Sequence, residues 1–136
     1  MRTKLLTVFS IVAGGVLLIS FQDKTLQDSI KRGEEVYTTN CVTCHMAKGE
    51  GLEGSFPPLA KADFIAKDKT GKGSIGAILN GMSDEITVNG IKYNSIMPAQ
   101  SYLSDEQIAD VLNYVRNSWG NKGKAITPAM VKAERK

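Results

Sequence analysis

Apolar and polar positions alternate with a helical period from Asp28 to Asn40. Ile30, Gly33, Val36 and Tyr37 share one face, and Lys31, Arg32, Glu34 and Glu35 lie outside it. Asp28 or Ser29 can cap the start of that helix. From Lys48 to Leu59 the period gives way to an irregular loop with Gly49, Gly51, Gly54, Pro57 and Pro58. Short helical segments are expected at Lys61–Lys67 and Ser74–Asn80. Ile86–Tyr93 reads as a β-hairpin, because Asn89-Gly90 supplies the two positive-φ residues of a type I′ turn. Two short strands are marginal alone, so this pair must lean on a larger body. The clearest element is a helix from Asp105 to Trp119. Ser104 and Gln107 form a capping box, Leu103 and Ile108 a hydrophobic staple, and Gly120 ends it. Ile108, Val111, Leu112 and Val115 keep helical spacing along its inner face. Asn121–Lys124 reads as a loop, and Thr127–Lys136 as a basic tail with a helical turn or two started at Pro128.

The N-terminus follows another pattern. Arg2 and Lys4 precede an uncharged run of seventeen residues, Leu5 to Phe21, which is the layout of an export signal. No clean small-x-small cleavage site follows, and the run is at the short limit for spanning a bilayer. A cleaved signal peptide and a retained membrane anchor both stay open; either way the remainder lies outside the cytoplasm. The expected organisation is a leader or anchor over 1–22, a polar linker over 23–27, one domain over 28–120 and a basic extension over 121–136. With roughly 110 residues beyond the leader, the chain buries only a modest core of its own. A large apolar cofactor would form much of the interior. Formal net charge is +3, but two of the positive charges sit in the leader. The near-neutral remainder lacks the basic stripe of a nucleic-acid module.

Cys41-Val-Thr-Cys44-His45 carries the chemistry. It is C-x-x-C-H, the attachment sequence of c-type haem. Two thiols three positions apart on a helical turn can reach two vinyl groups on one side of a porphyrin, while the next imidazole points at the iron. A thiol–disulfide site would belong in a βαβ setting, and this motif follows a helix. A structural zinc site needs four ligands, but the chain has two cysteines and one histidine.

That single histidine also constrains the second axial ligand. Bis-histidine ligation within the chain is impossible, so the expected pair is His45 and a methionine thioether. Met1 is in the leader, Met46 sits beside His45 and cannot reach the opposite face, and Met130 lies in the tail. Met97 is favoured over Met82, because Pro98 stiffens the loop that carries it.

With these features the chain resembles the class I cytochromes c, small single-haem proteins, from about Asp28 to Gly120. The resemblance implies an all-α fold, a small orthogonal helical domain around one covalent haem c, here with one short β-hairpin inserted. Gly33, Tyr37 and Cys41 are spaced like the family's helix-contact glycine, aromatic and first haem cysteine, and Val111 and Tyr114 match the positions that cross that glycine. The resemblance further implies that a proline carbonyl, of Pro57 or Pro58, accepts a hydrogen bond from His45, and that Leu59 packs on the porphyrin. The hairpin resembles small bacterial cytochromes that serve, or are joined to, respiratory oxidases, nitrite reductases and dehydrogenases. The many-lysine ring of the mitochondrial protein is not evident: Lys48, Lys61, Lys67, Lys69 and Lys72 are interspersed with Glu50, Glu53, Asp63 and Asp68. These charges read as a solvated surface.

The expected function is electron carriage rather than catalysis, through weak and transient contacts with redox partner proteins in the bacterial periplasm. Membrane attachment through residues 5–21 would suit the alternative, a haem-bearing subunit of a larger membrane oxidoreductase. A peroxidase-like or gas-binding haem would need an open, polar distal site, and Met97-Pro98 argues against one.

Overall fold

Residues 25–40 form one continuous helix, α1, in the computed structural model, which describes residues 25–135. The leader and its fate lie outside the described residues. Because residues 25–28 are already helical, they are not a linker, and neither Asp28 nor Ser29 is a cap. Ser29 is instead buried, and its hydroxyl donates to Asp110 at 2.5 Å. After α1 come α2 (Val42–His45), α3 (Asp63–Lys67), α4 (Lys72–Asn80), strands β1 (Ile86–Val88) and β2 (Ile91–Tyr93), α5 (Asp105–Asn117) and α6 (Pro128–Glu134).

Helix α5 is the spine. Its capping box is formed as expected, between Ser104 and Gln107. Ile108 and Leu112 pack with Ile75, Leu79 and Leu103, while Val111 and Val115 face Tyr37, Ile65, Val88 and Tyr93. Two apolar clusters thus share one helix. Across it runs α1, and the two backbones touch at Gly33: a Cβ there would drive into the Asp110 carbonyl and lie 2.9 Å from Tyr114 Cβ. Beside the contact, Arg32 grips Asp110 with two hydrogen bonds of 2.7 and 2.9 Å, and Asn113 donates to Ser29 at 2.9 Å. Asp110 is buried, so its charge requires these partners.

Several expected boundaries shift for local reasons. Helix α5 stops at Asn117 rather than Trp119, because Ser118 is extended and Trp119 takes φ +53°. The first turn of α4 starts at Lys72, before Ser74. Asp68 accepts hydrogen bonds there from the amides of Gly71, Gly73 and Ser74 and from the Ser74 hydroxyl. Conversely α3 starts at Asp63, since Lys61 sits at φ +51°. The hairpin has the two-residue turn expected, with Asn89 and Gly90 at φ +51° and +83° and Val88 paired to Ile91. It leans on α3 through reciprocal bonds between Asp63 and Asn89 of 2.9 and 2.8 Å.

The helical turns expected from Pro128 are present as α6, and the basic extension that carries them is packed against the domain. Thr127 caps α6, and Val131 and Ile126 are fully packed against α4 and α5. The Asn113 amide holds the Ile126 backbone from both sides, at 2.9 and 2.7 Å. Arg135 then donates to Asp105 and to the carbonyls of Ser101 and Leu103. Counting basic residues hid the apolar pair on which this segment closes.

Gly33→Ala should destabilise the fold by about 1–3 kcal/mol through overpacking, measured as a lowered thermal midpoint. Asp68 is desolvated, which raises its pKa. The Ser74 hydroxyl and amide, the Gly73 amide and the Arg116 charge together outweigh that and hold it below the ordinary 3.8. A depressed carboxylate contributes stability above 3.8 that is lost as pH falls through its native value. Asp68→Asn should therefore lower stability at neutral pH and flatten the acid limb of a stability–pH profile.

Candidate functional site

The last turn of α1 delivers Cys41, whose amide bonds to the Tyr37 carbonyl at 2.9 Å, and α2 then carries Cys44 and His45. Tyr37 is anchored by its ring and its hydroxyl. The ring lies 5.4 Å from Tyr114 and 5.1 Å from Trp119, and those two are 5.2 Å apart, closing a three-ring cluster. The hydroxyl donates to the Met46 carbonyl at 2.7 Å, which fixes where the motif ends. Burial pushes the Tyr37 phenol well above its ordinary range, so it stays a donor.

Beyond Met46 the glycine-rich loop doubles back. Trp119 lies over Gly49, where a Cβ would stand 2.6 Å from the indole ring. The Gly49 carbonyl accepts from the amides of Leu59 and Ala60 at 2.7 and 2.8 Å, and Gly51 donates to the His45 carbonyl at 3.1 Å. This folding brings the Pro57 carbonyl 2.9 Å from His45 Nδ1. Between the two prolines left open by sequence, Pro57 makes the contact. A carbonyl can only accept, so Nδ1 carries the proton and Nε2 keeps its lone pair. Burial lowers the imidazole pKa against the opposing effect of the Pro57 bond.

The opposite wall is built from the end of α4 and the segment that carries Met97. Met82 and Met97 exchange two backbone hydrogen bonds of 2.9 Å, an antiparallel pairing that sends both side chains to one face. Gly81 lets the segments meet, since a Cβ there would stand 2.5 Å from the Met97 carbonyl oxygen. The Gln100 amide adds a bond to the Ile78 carbonyl at 2.7 Å. Met97 is therefore held by backbone pairing on both sides, not by Pro98 alone.

Between the two walls lies a cleft lined by Cys41, Cys44, His45, Pro57, Leu59, Met82 and Met97 together with Val111 and Val115 of α5 and Val88 and Tyr93 of the hairpin. Its empty volume is about 1230 Å³, open solvent at the mouth included. Met46 is not part of its lining, and Met130 packs into the Ile75 cluster elsewhere. Both cysteines are free. Burial, with a smaller effect from Cys44, pushes the Cys41 thiol up to about 11. That is opposite to the lowered pKa of a thiol–disulfide catalyst. Among the described residues no cluster of His, Cys, Asp or Glu could hold a bare metal ion. A flat, apolar, iron-bearing macrocycle fits this donor set: two thiols, one imidazole with a free Nε2, and thioethers facing it across an apolar gap.

The family model for cytochrome c matches residues 30–119. The chain belongs to the cytochrome c family. Cytochrome c-552 of Thermus thermophilus is 36% identical over 124 residues, which cover 76% of this chain and 94% of that protein. Two longer relatives are similar as well. The cytochrome c subunit of the alcohol dehydrogenase (quinone) of Gluconobacter oxydans is 36% identical over 104 residues, 71% of this chain and 20% of the subunit. The gluconate 2-dehydrogenase cytochrome c subunit of Pantoea cypripedii is 34% identical over 103 residues, 75% of this chain and 23% of the subunit. This cytochrome is a class I, single-haem protein with one covalently bound haem c, and its function is electron transfer.

Motif reasoning passed over three parts of the cytochrome's site. Asn40 and Gln100 line the cleft, and Tyr102 hydrogen-bonds to both. Their only signal in the sequence is position, one residue before Cys41 and three after Met97. The third is Trp119, whose positive φ turns its ring back onto the loop. Gly51→Ala should test the loop's role, since a Cβ would crowd the Pro57 carbonyl carbon and oxygen at 2.8 Å. The expected result is faster exchange of the His45 Nδ1 proton and a shifted imidazole nitrogen resonance.

Proposed function

We propose that Cys41 and Cys44 form the two thioether links to the porphyrin and that His45 and Met97 hold its iron from opposite sides. The observation that carries this reading is one apolar cleft, with C-x-x-C-H on one wall and a backbone-locked methionine on the other. Bound there, haem c supplies a one-electron ferric/ferrous couple. The chain's own residues do the rest. Pro57 keeps the proton on Nδ1 and so orients Nε2 toward the iron position. The Met82 pairing holds Met97 still, and a thioether ligand in a low-dielectric cleft favours the reduced state. Leu59 and Phe64 help exclude water. With His45 and Met97 both holding the group, no position on it would remain open to a substrate, and this supports a carrier rather than an enzyme.

Such a carrier meets redox partners transiently, outside the cytoplasm, and in a bacterium that means the periplasm. The kinship with dehydrogenase cytochrome subunits supports a second reading, a subunit held in a larger membrane complex. Among the described residues no helix is long and apolar enough to cross a membrane, and the candidate anchor is the apolar run over residues 5–21. Sequencing the mature N-terminus from the native host distinguishes a shed leader from a kept one.

Met97→Ala should abolish the weak sulfur–iron charge-transfer band at the red end of the ferric spectrum, lower the midpoint potential and admit imidazole or carbon monoxide. Met82→Ala should leave the band in place. A band that survives Met97→Ala and disappears with Met82→Ala would move the ligand to Met82.

A further inference from the structure

Charge is divided unevenly over the fold. Residues 61–72 and 120–135 hold eight of the thirteen Lys and Arg between residues 25 and 135, but only three of the thirteen Asp and Glu. The two segments lie side by side. The Lys61 amide donates to Asn121 Oδ1 at 3.0 Å. Buried Arg116 spans the seam, donating to the Asp68 carbonyl at 2.9 Å and the Lys124 carbonyl at 3.4 Å. Farther along, Lys72 pairs with Glu134 at 3.1 Å. A domain without net charge thus carries a basic pole.

Little on the pole offsets that charge. Asp63 is taken up by Lys67 at 2.6 Å, and Asp68 turns inward to Ser74 and Arg116. Lys61, Lys69, Lys122, Lys124 and Lys132 are exposed and make no ion pair among the described residues. The start of α1 lies at the same pole. Ser29 Oγ and the Ile126 carbonyl both accept from Asn113 Nδ2 at 2.9 Å, and residue 25 is one helical turn before Ser29. Only Gln22, Asp23 and Lys24 separate residue 25 from the apolar run Leu5–Phe21, a span of at most about 14 Å. A run kept in a bilayer leaves the pole close to the headgroups, whose surface potential reaches roughly 10 Å into solution.

We propose that this pole docks on a bilayer of anionic phospholipid, with headgroup phosphates meeting Lys61, Lys69, Lys122 and Lys124. The inference rests on the reading that the chain works at the outer face of a bacterial membrane, and not on the haem ligands. None of these lysines lines the cleft. An acidic redox partner seated on them would therefore gain no direct access to the site, and a lipid surface is the better occupant. Flexible lysine stems also suit phosphates that have no fixed arrangement.

The holoprotein from the native host, with whichever N-terminus it keeps, is reconstituted with phosphatidylcholine vesicles or with the same vesicles containing phosphatidylglycerol. Lysines are then acylated and each is read by mass spectrometry. With phosphatidylglycerol at low salt, labelling of Lys61, Lys69, Lys122 and Lys124 should fall at least about threefold, and high salt should restore it. Phosphatidylcholine alone should leave it unchanged. Lys31, set among Asp28, Glu34 and Glu35 on α1, and Lys92, paired with Glu85, should label equally on both. The double variant Lys122→Glu and Lys124→Glu should restore labelling of Lys61 and Lys69 on phosphatidylglycerol without lowering the thermal midpoint. Lys92→Glu should change nothing. Equal labelling of the pole on the two vesicles, or protection that salt does not relieve, overturns the proposal. So does protection by polyglutamate with none by vesicles, which assigns the pole to an acidic protein. The N-terminal sequence of the same material separates failure of the pole from failure of the anchor.

Discussion

At Gly33 the backbone of α1 rests on the Asp110 carbonyl of α5, and the geometry of the haem-bearing wall follows from that contact. One helical turn later Tyr37 enters the ring cluster with Tyr114 and Trp119. One turn after that comes Cys41. The crossing therefore sets the position and direction of the C-x-x-C-H segment with no contact from the motif itself. Trp119 passes the constraint on by covering Gly49, and the loop that starts there returns Pro57 to His45. A side chain at Gly33 would force the helices apart and loosen every later step.

A buried ionic group beside that crossing is costly unless fully paired, and here the pairing does structural work. Asp110 receives the Ser29 hydroxyl and two bonds from Arg32, and Asn113 extends the network to the Ile126 backbone. Apolar residues could pack as well but would tolerate a slip of one helix along the other. Directional hydrogen bonds do not. The network thus fixes the register of α1 against α5 and ties the C-terminal segment to the same point.

The second wall obeys a different constraint. A thioether would be a weak ligand, so a segment that offers one must be held still. Met97 is flanked by strand-like pairing to Met82 and by the bond from Gln100 to Ile78, which spreads the restraint over the end of α4. Between the walls, Val111 and Val115 of α5 form the floor. A haem held in the cleft would extend the apolar cluster that contains Val88, Tyr93, Val111 and Val115, and would give a chain of this size a fuller interior.

Much of this was legible in the chain itself. C-x-x-C-H, the capping box at Ser104, the Asn89-Gly90 turn and the periodicity of α5 are encoded within a few residues each, because local geometry and covalent spacing decide them. A single histidine narrowed the ligand set by simple counting. What the sequence left open depended on contacts between distant segments. The choice of Pro57 over Pro58, the meeting of Met82 with Met97 and the inward turn of Ser29 each need a partner that local pattern does not name. The C-terminal helix was legible from Pro128, but its packing was not, for the same reason: its lysines are visible locally, and the groove that takes Ile126 and Val131 is not. The sequence alone determined that the chain binds haem and which residues could hold it. Only the tertiary structure decided how those residues face one another, because a cleft is made by walls far apart in the chain.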